Sequence, residues 1–110
     1  MADRLDLPSR HRRVLDALLG EHLPDVEVWA YGSRVNGRCH DGSDLDLVFR
    51  GPGSAKVSDE QIARFSDAMR ESTIPFLVEG RDWARLPEPV RREIGELYVV
   101  LRAPRRHQCP

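Results

Sequence analysis

Residues 32–46 read Gly32-Ser33-Arg34-Val35-Asn36-Gly37-Arg38-Cys39-His40-Asp41-Gly42-Ser43-Asp44-Leu45-Asp46, and this stretch decides the fold. Its C-terminal end opens an alternating run, Asp44-Leu45-Asp46-Leu47-Val48-Phe49. Leu45, Leu47 and Phe49 point one way and Asp44 and Asp46 the other, the pattern of a strand with one buried face. Its N-terminal end closes an earlier run, Val26-Glu27-Val28-Trp29-Ala30-Tyr31. There Val26, Val28 and Ala30 share a face opposite Glu27, Trp29 and Tyr31. Gly32-Ser33 then permits a tight turn and a short helix, followed by a polar loop from Asn36 to Ser43.

Working outward, Val14, Leu15, Leu18, Leu19 and Leu23 recur at three- and four-residue steps, which predicts a helix over about residues 10–22. Ser9 is its expected N-cap and Pro24 closes it. Gly51-Pro52-Gly53-Ser54 ends the second strand. Ser58 with Gln61 forms a capping box opening a helix whose inner face is Ile62, Phe65 and Met69. Pro75 marks entry to a third strand, Phe76-Leu77-Val78-Glu79, with Phe76 and Val78 toward the core and Leu77, Glu79 and Arg81 away from it. A short helix from about Pro87 carries Val90, Ile94 and Leu97 inward, and Tyr98-Val99-Val100-Leu101 is a final strand. The order α-β-turn-β-α-β-α-β predicts an α/β (α+β) domain, a small mixed β-sheet flanked by helices. Residues 1–103 are expected to form one domain and residues 104–110 a flexible tail.

Composition narrows the function. Among 110 residues, 40% are hydrophobic and 32% charged, which describes a globular chain rather than a disordered one. A net charge of -1, from 17 basic and 18 acidic residues, argues against a basic surface for direct nucleic-acid binding. No apolar run approaches the roughly 20 residues of a membrane span. The acidic start, Asp3 and Asp6, is unlike a secretion signal, and Cys39 and Cys109 lack Cys-x-x-Cys spacing. A cytoplasmic protein is expected.

The chemistry lies in the acids. Residues i and i+2 of a strand share a face about 6.5–7 Å apart, so two carboxylates there repel unless a cation lies between them. Both reach a pair of metal ions ~3.5–4 Å apart, the arrangement that clamps the attacking and leaving oxygens of phosphoryl or nucleotidyl transfer. Hard oxygen ligands without a His/Cys cluster point to Mg²⁺ or Mn²⁺ rather than zinc. The Gly32 backbone and the Ser33 hydroxyl suit a phosphate, and Arg34 adds charge. Glu79 is a third available carboxylate. Taken alone, Asp-x-Asp is more often a solvated face and a Gly-Ser turn says less still. The joint spacing of Gly-Ser, ten residues, then Asp-x-Asp is far more specific.

That spacing resembles the signature of the nucleotidyltransferase superfamily that includes DNA polymerase beta. The form Gly32-Ser33-Arg34-Val35-Asn36-Gly37 and the later Pro75-Phe76-Leu77-Val78-Glu79 with Asp82-Trp83 are similar to the minimal nucleotidyltransferases, the antitoxin partners of HEPN-domain toxins, over roughly residues 10–101. The resemblance implies a polymerase beta-like fold in which Asp44, Asp46 and Glu79 hold two Mg²⁺ ions and Gly32 and Ser33 bind the phosphates of ATP. Glu79 stands where the family usually has Asp; the longer side chain still serves as a ligand or takes the proton from the incoming hydroxyl. Gly80-Arg81 departs from the usual apolar pair and is expected to loosen the strand.

The implied reaction is transfer of AMP from ATP to a tyrosine of a partner HEPN ribonuclease toxin, which silences it within a hetero-oligomeric complex. Two alternatives stand beside it, an antitoxin that binds without catalysis and a nucleotidyltransferase acting on a small molecule such as an antibiotic. The second ordinarily needs a further helical domain for the acceptor. Trp29 and Trp83 read as packing or partner contacts, with Tyr98 a further candidate contact. His11, His22, His40 and His107 lack metal-ligand spacing and read as solvated or capping side chains. Arg38 and His40 are weaker candidates for nucleotide contacts, and Cys39 has no His/Asp partner to activate it.

Overall fold

The computed structural model describes residues 5–37 and 42–103. The expectations for Arg38, Cys39, His40, His107 and the tail 104–110 therefore lie outside the described residues. Helix α1 (Ser9–His22) places Leu15 and Leu19 in the core, continued by Leu23 just beyond its end. Ser9 does not cap it. Pro8 takes that place, its carbonyl accepting from the N–H groups of His11 and Arg12. His11 is buried rather than solvated and meets the Phe76 ring edge-on.

Strand β1 (Glu27–Tyr31) leads through Gly32 into the short helix α2 (Ser33–Asn36), and β2 (Leu45–Arg50) follows. Ser58 caps α3 (Asp59–Arg70) by accepting from the Gln61 N–H. The reciprocal half of the capping box is not made, because the Gln61 amide donates to the His22 carbonyl and ties α3 to α1. Then come β3 (Val78–Asp82), α4 (Glu88–Glu96) and β4 (Val99–Arg102), with single 3₁₀ turns at Pro52–Ser54 and Trp83–Arg85.

The four strands form one mixed sheet in the order β3-β2-β1-β4. β1 is antiparallel to β2 and β4, and β2 is parallel to β3. The third strand begins and ends later than its apolar run suggests. Pairing with β2, in which Leu45 lies opposite Val78 and Phe49 opposite Asp82, carries it through Gly80 and Arg81. Those two residues do not loosen the strand. A Cβ on Gly80 would stand 2.3 Å from the Phe49 ring, so the absent side chain is what lets that ring pack there. Asp82 is buried and closes the strand, accepting from the N–H groups of Val57 and Ala84 and pairing with Arg85.

The two faces of the sheet differ. One carries Val28, Ala30, Leu45, Leu47, Phe49 and Val78 against the buried sides of α1 and α3, and this is the main core. On the other, Trp29 and Val48 pack beneath Ile94 and Val90 of α4 and beneath Trp83 and Leu86. Trp29 is therefore a core residue, stacked on Tyr98 at 3.9 Å between ring centres, and only Tyr98 of the pair is exposed.

Candidate active site

Strand pairing builds the site. On the face that carries Trp29 and Val48, Tyr31 of β1 lies opposite Asp46 of β2, and Asp46 lies beside Glu79 of β3. A phenol and two carboxylates thus form one row across three strands. Asp44 precedes β2 by one residue and is exposed. Gly32 completes the arrangement from behind. Its φ of 86° and ψ of -155° belong to glycine alone, and a Cβ there would stand 2.5 Å from Asp46 Oδ2. The turn and the acid therefore touch.

The electrostatics follow from that crowding. Burial raises the Asp46 carboxyl above the ordinary carboxylate range, the charges of Glu79 and Asp44 push it further up, and Arg81 draws it back. Burial likewise raises the Tyr31 phenol, against the pull of Arg81 and with the push of Asp46 and Glu79. Glu79 and Arg81 act on both groups. Beside the row, Tyr31, Gly32 and Arg81 face Val90, Glu93, Ile94 and Leu97 across a cleft of about 380 Å³.

A glycine turn pressed on the second acid of an Asp-x-Asp pair fits the nucleotidyltransferase motif, and the model of that domain, described as "Nucleotidyltransferase domain", matches residues 11–95. This chain belongs to the nucleotidyltransferase domain family. It is 36% identical over 103 residues to the "Probable protein adenylyltransferase MntA" of Haemophilus influenzae, a match covering 89% of this chain and 84% of that protein. A solved structure described as "Crystal structure of the toxin-antitoxin with AMP-PNP" shares its fold, with a TM-score of 0.69 over 84% of this chain and 73% of the other at 14% identity. The resemblance to minimal nucleotidyltransferases and the small mixed sheet flanked by helices both hold.

Within this nucleotidyltransferase domain, the expected site residues fall into two groups. Gly32, Asp46 and Glu79 are brought together by register, and Asp44 acts electrostatically on Asp46. Ser33 opens α2 immediately after the turn. Arg34 is different, because its side chain is buried and turned into the protein. Its Nε donates to the Ser43 carbonyl at 3.0 Å and its Nη1 to the Asp6 carbonyl at 2.9 Å, while the guanidinium lies 3.9 Å over the Phe76 ring. It ties the chain immediately before Asp44 to the body of the domain. Tyr31 and Arg81 are the members of the cluster that motif reading leaves out. Alternation places Tyr31 on the face of the acids, and two-residue spacing does the same for Arg81 beside Glu79.

Asp44, Asp46 and Glu79 are hard oxygen donors, the chemistry that a divalent cation takes. The charges of Glu79 and Asp44 bear on Asp46, with Arg81 acting against them. Among the described residues no group of three or more His, Cys, Asp or Glu side chains is arranged to hold a metal ion.

Proposed function

We propose that this chain is a protein adenylyltransferase and the antitoxin of a two-protein pair, transferring AMP from ATP to a tyrosine hydroxyl of a HEPN ribonuclease toxin. The observation that carries the reading is the contact between the Gly32 turn and Asp46, with Glu79 beside Asp46 in register. The name of the Haemophilus influenzae relative, a probable protein adenylyltransferase, supports the activity. The description of the fold relative as a toxin-antitoxin with AMP-PNP supports the setting.

In this reading Asp44, Asp46 and Glu79 hold Mg²⁺, two ions in the working site, with Mn²⁺ as the substitute. Bound there, the metal supplies positive charge against the phosphates and the developing transition-state charge. The Gly32 backbone and the Ser33 hydroxyl receive the triphosphate. Arg34 acts from behind by fixing the turn and the approach to Asp44. The acceptor oxygen attacks the α-phosphorus, the bond to the β-phosphate oxygen breaks, and pyrophosphate departs. The acceptor proton passes to a carboxylate of the row, for which Glu79 has the longer reach. Positioning and electrostatic stabilisation supply the acceleration.

The open face leaves room for an acceptor that arrives on another protein, so a hetero-oligomeric complex in the cytoplasm is the working form. Residues 1–103 serve as its one catalytic domain, with 104–110 as a tail. No helix among the described residues is long and apolar enough to cross a membrane. The test is to incubate the purified chain with its partner toxin, Mg²⁺ and ATP labelled at the α-phosphate. Label on a toxin tyrosine, lost with Asp46→Asn, is the expected result. Neutralisation of the toxin by Asp46→Asn without labelling would leave a binding antitoxin instead.

A further inference from the structure

Arg81 is, with Tyr31, a residue of the cluster that the family signature does not account for. It lies inside β3, two positions after Glu79 and opposite Val48, so it shares the face of the acid row. Its side chain lines the cleft with Gly32, the glycine at the far end of β1. Arg81 is exposed, and it also borders a second cleft with Leu77, Glu79 and Gly80. Its charge is felt at both Asp46 and Tyr31.

Among the described residues the Arg81 side chain makes no hydrogen bond and no ion pair. The contrast with its neighbours is sharp. Arg34, Arg50, Arg85 and Arg91 are each engaged by a carbonyl or a carboxylate. An exposed arginine beside an acidic row, without a fixed partner, keeps its guanidinium donors for a ligand. The opposite rim carries Glu93, and the floor of Val90, Ile94 and Leu97 offers no competing acceptor side chain.

We propose that Arg81 is a second phosphate contact of the nucleotide, closing on the terminal phosphates from β3 while the Gly32–Ser33 turn holds them from β1. The planar fork of the guanidinium pairs with two phosphate oxygens at once, which a lone backbone turn does not do. A triphosphate brings several negative charges to a face that already carries three carboxylates. A cation that swings onto the β- and γ-phosphates offsets that repulsion and stabilises the pyrophosphate as it leaves. The proposal rests on the nucleotidyl-transfer reading and assigns to it a residue outside the Gly-Ser and Asp-x-Asp motif.

The experiment is calorimetric titration of ATP, inorganic pyrophosphate and adenosine into the wild-type protein, Arg81→Gln and Arg81→Lys, each in Mg²⁺ buffer. The Gln variant is expected to lose about tenfold to a hundredfold in affinity for ATP and pyrophosphate, the scale of a charge-assisted contact. Adenosine is expected to bind all three proteins alike, and the Lys variant to fall between the other two. ATP affinity within twofold of wild type in both variants overturns the proposal while leaving nucleotidyl transfer intact. Equal losses for adenosine and ATP overturn it too, since the residue would then act on the base or on the fold. A wild-type protein that binds neither ATP nor pyrophosphate overturns both the proposal and the reading beneath it.

Discussion

The backbone of Gly32 stands so close to the Asp46 carboxylate that a Cβ at position 32 would lie 2.5 Å from Oδ2. Two constraints meet there, since the backbone angles also exclude side chains. Gly32→Ala therefore strains the turn by about 1–3 kcal/mol and displaces the acid as well. We expect a melting temperature lower by several degrees and AMP transfer reduced far beyond what the lost stability explains. A variant that folds less well yet transfers normally would show that the contact has no part in the reaction.

The acids are expected to behave unlike ordinary structural residues. Asp44→Asn, Asp46→Asn and Glu79→Gln each remove charge from a repelling group, so folding is kept or improved. Transfer of labelled AMP should fall about a hundredfold or more in each, the scale of losing one preorganised electrostatic contact. Glu79→Asp keeps the charge on a shorter side chain and is expected to retain activity. Full activity in Glu79→Gln would remove Glu79 from the set.

Reading by alternation located β1, β2 and the acid face, because each strand there buries one side and the period of two is plain in Leu45, Leu47 and Phe49. It misplaced β3, where Gly80, Arg81 and Asp82 look nothing like a strand until β2 pairs with them. A parallel partner is invisible to local pattern. Arg34 was legible as part of the motif but not in its contacts. The carbonyls it grips belong to Asp6 and Ser43, 28 and 9 residues away, and no spacing rule connects them. Trp29 was placed on the correct face, yet its burial depends on α4 and Trp83 covering that face only in part.

Gly80 offers a test of the packing beneath the site. Any side chain there meets the Phe49 ring, which sits fully buried in the main core. Gly80→Val must push the ring aside and is expected to cost about 1–3 kcal/mol by overpacking, or roughly 4–8 °C in melting temperature for a domain of this size. Phe49→Leu in the same chain makes room and should recover part of the loss. Equal stability of Gly80→Val and wild type, measured by thermal denaturation, would contradict the packing described.

Arg34 is expected to act on structure first. Arg34→Lys keeps the charge but cannot fork to the carbonyls of Ser43 and Asp6 together. The nucleotide-free protein should therefore melt several degrees lower, and the turnover number should fall more than ATP affinity does. A pure loss of ATP affinity with unchanged melting would instead make Arg34 a direct nucleotide contact.

The raised Asp46 carboxyl gives the fold a pH dependence of definite sign. In the unfolded chain this group titrates near its ordinary 3.8, whereas in the folded protein it holds its proton to higher pH. Below 3.8 both states are protonated and Asp46 costs the fold nothing. As pH rises past that value the unfolded chain ionises first, so stability is lost until the folded carboxyl also ionises, after which the penalty is constant. Asp46→Asn lacks the titration. Its melting temperature should exceed that of wild type at pH 7, and the gap should close as the pH is lowered toward 4. Saturating Mg²⁺ at pH 7 should narrow the same gap, because binding to the folded acids stabilises the wild type more than the variant. A gap that stays constant with pH, or widens on acidification, would mean that Arg81 outweighs burial, Glu79 and Asp44 at this carboxylate.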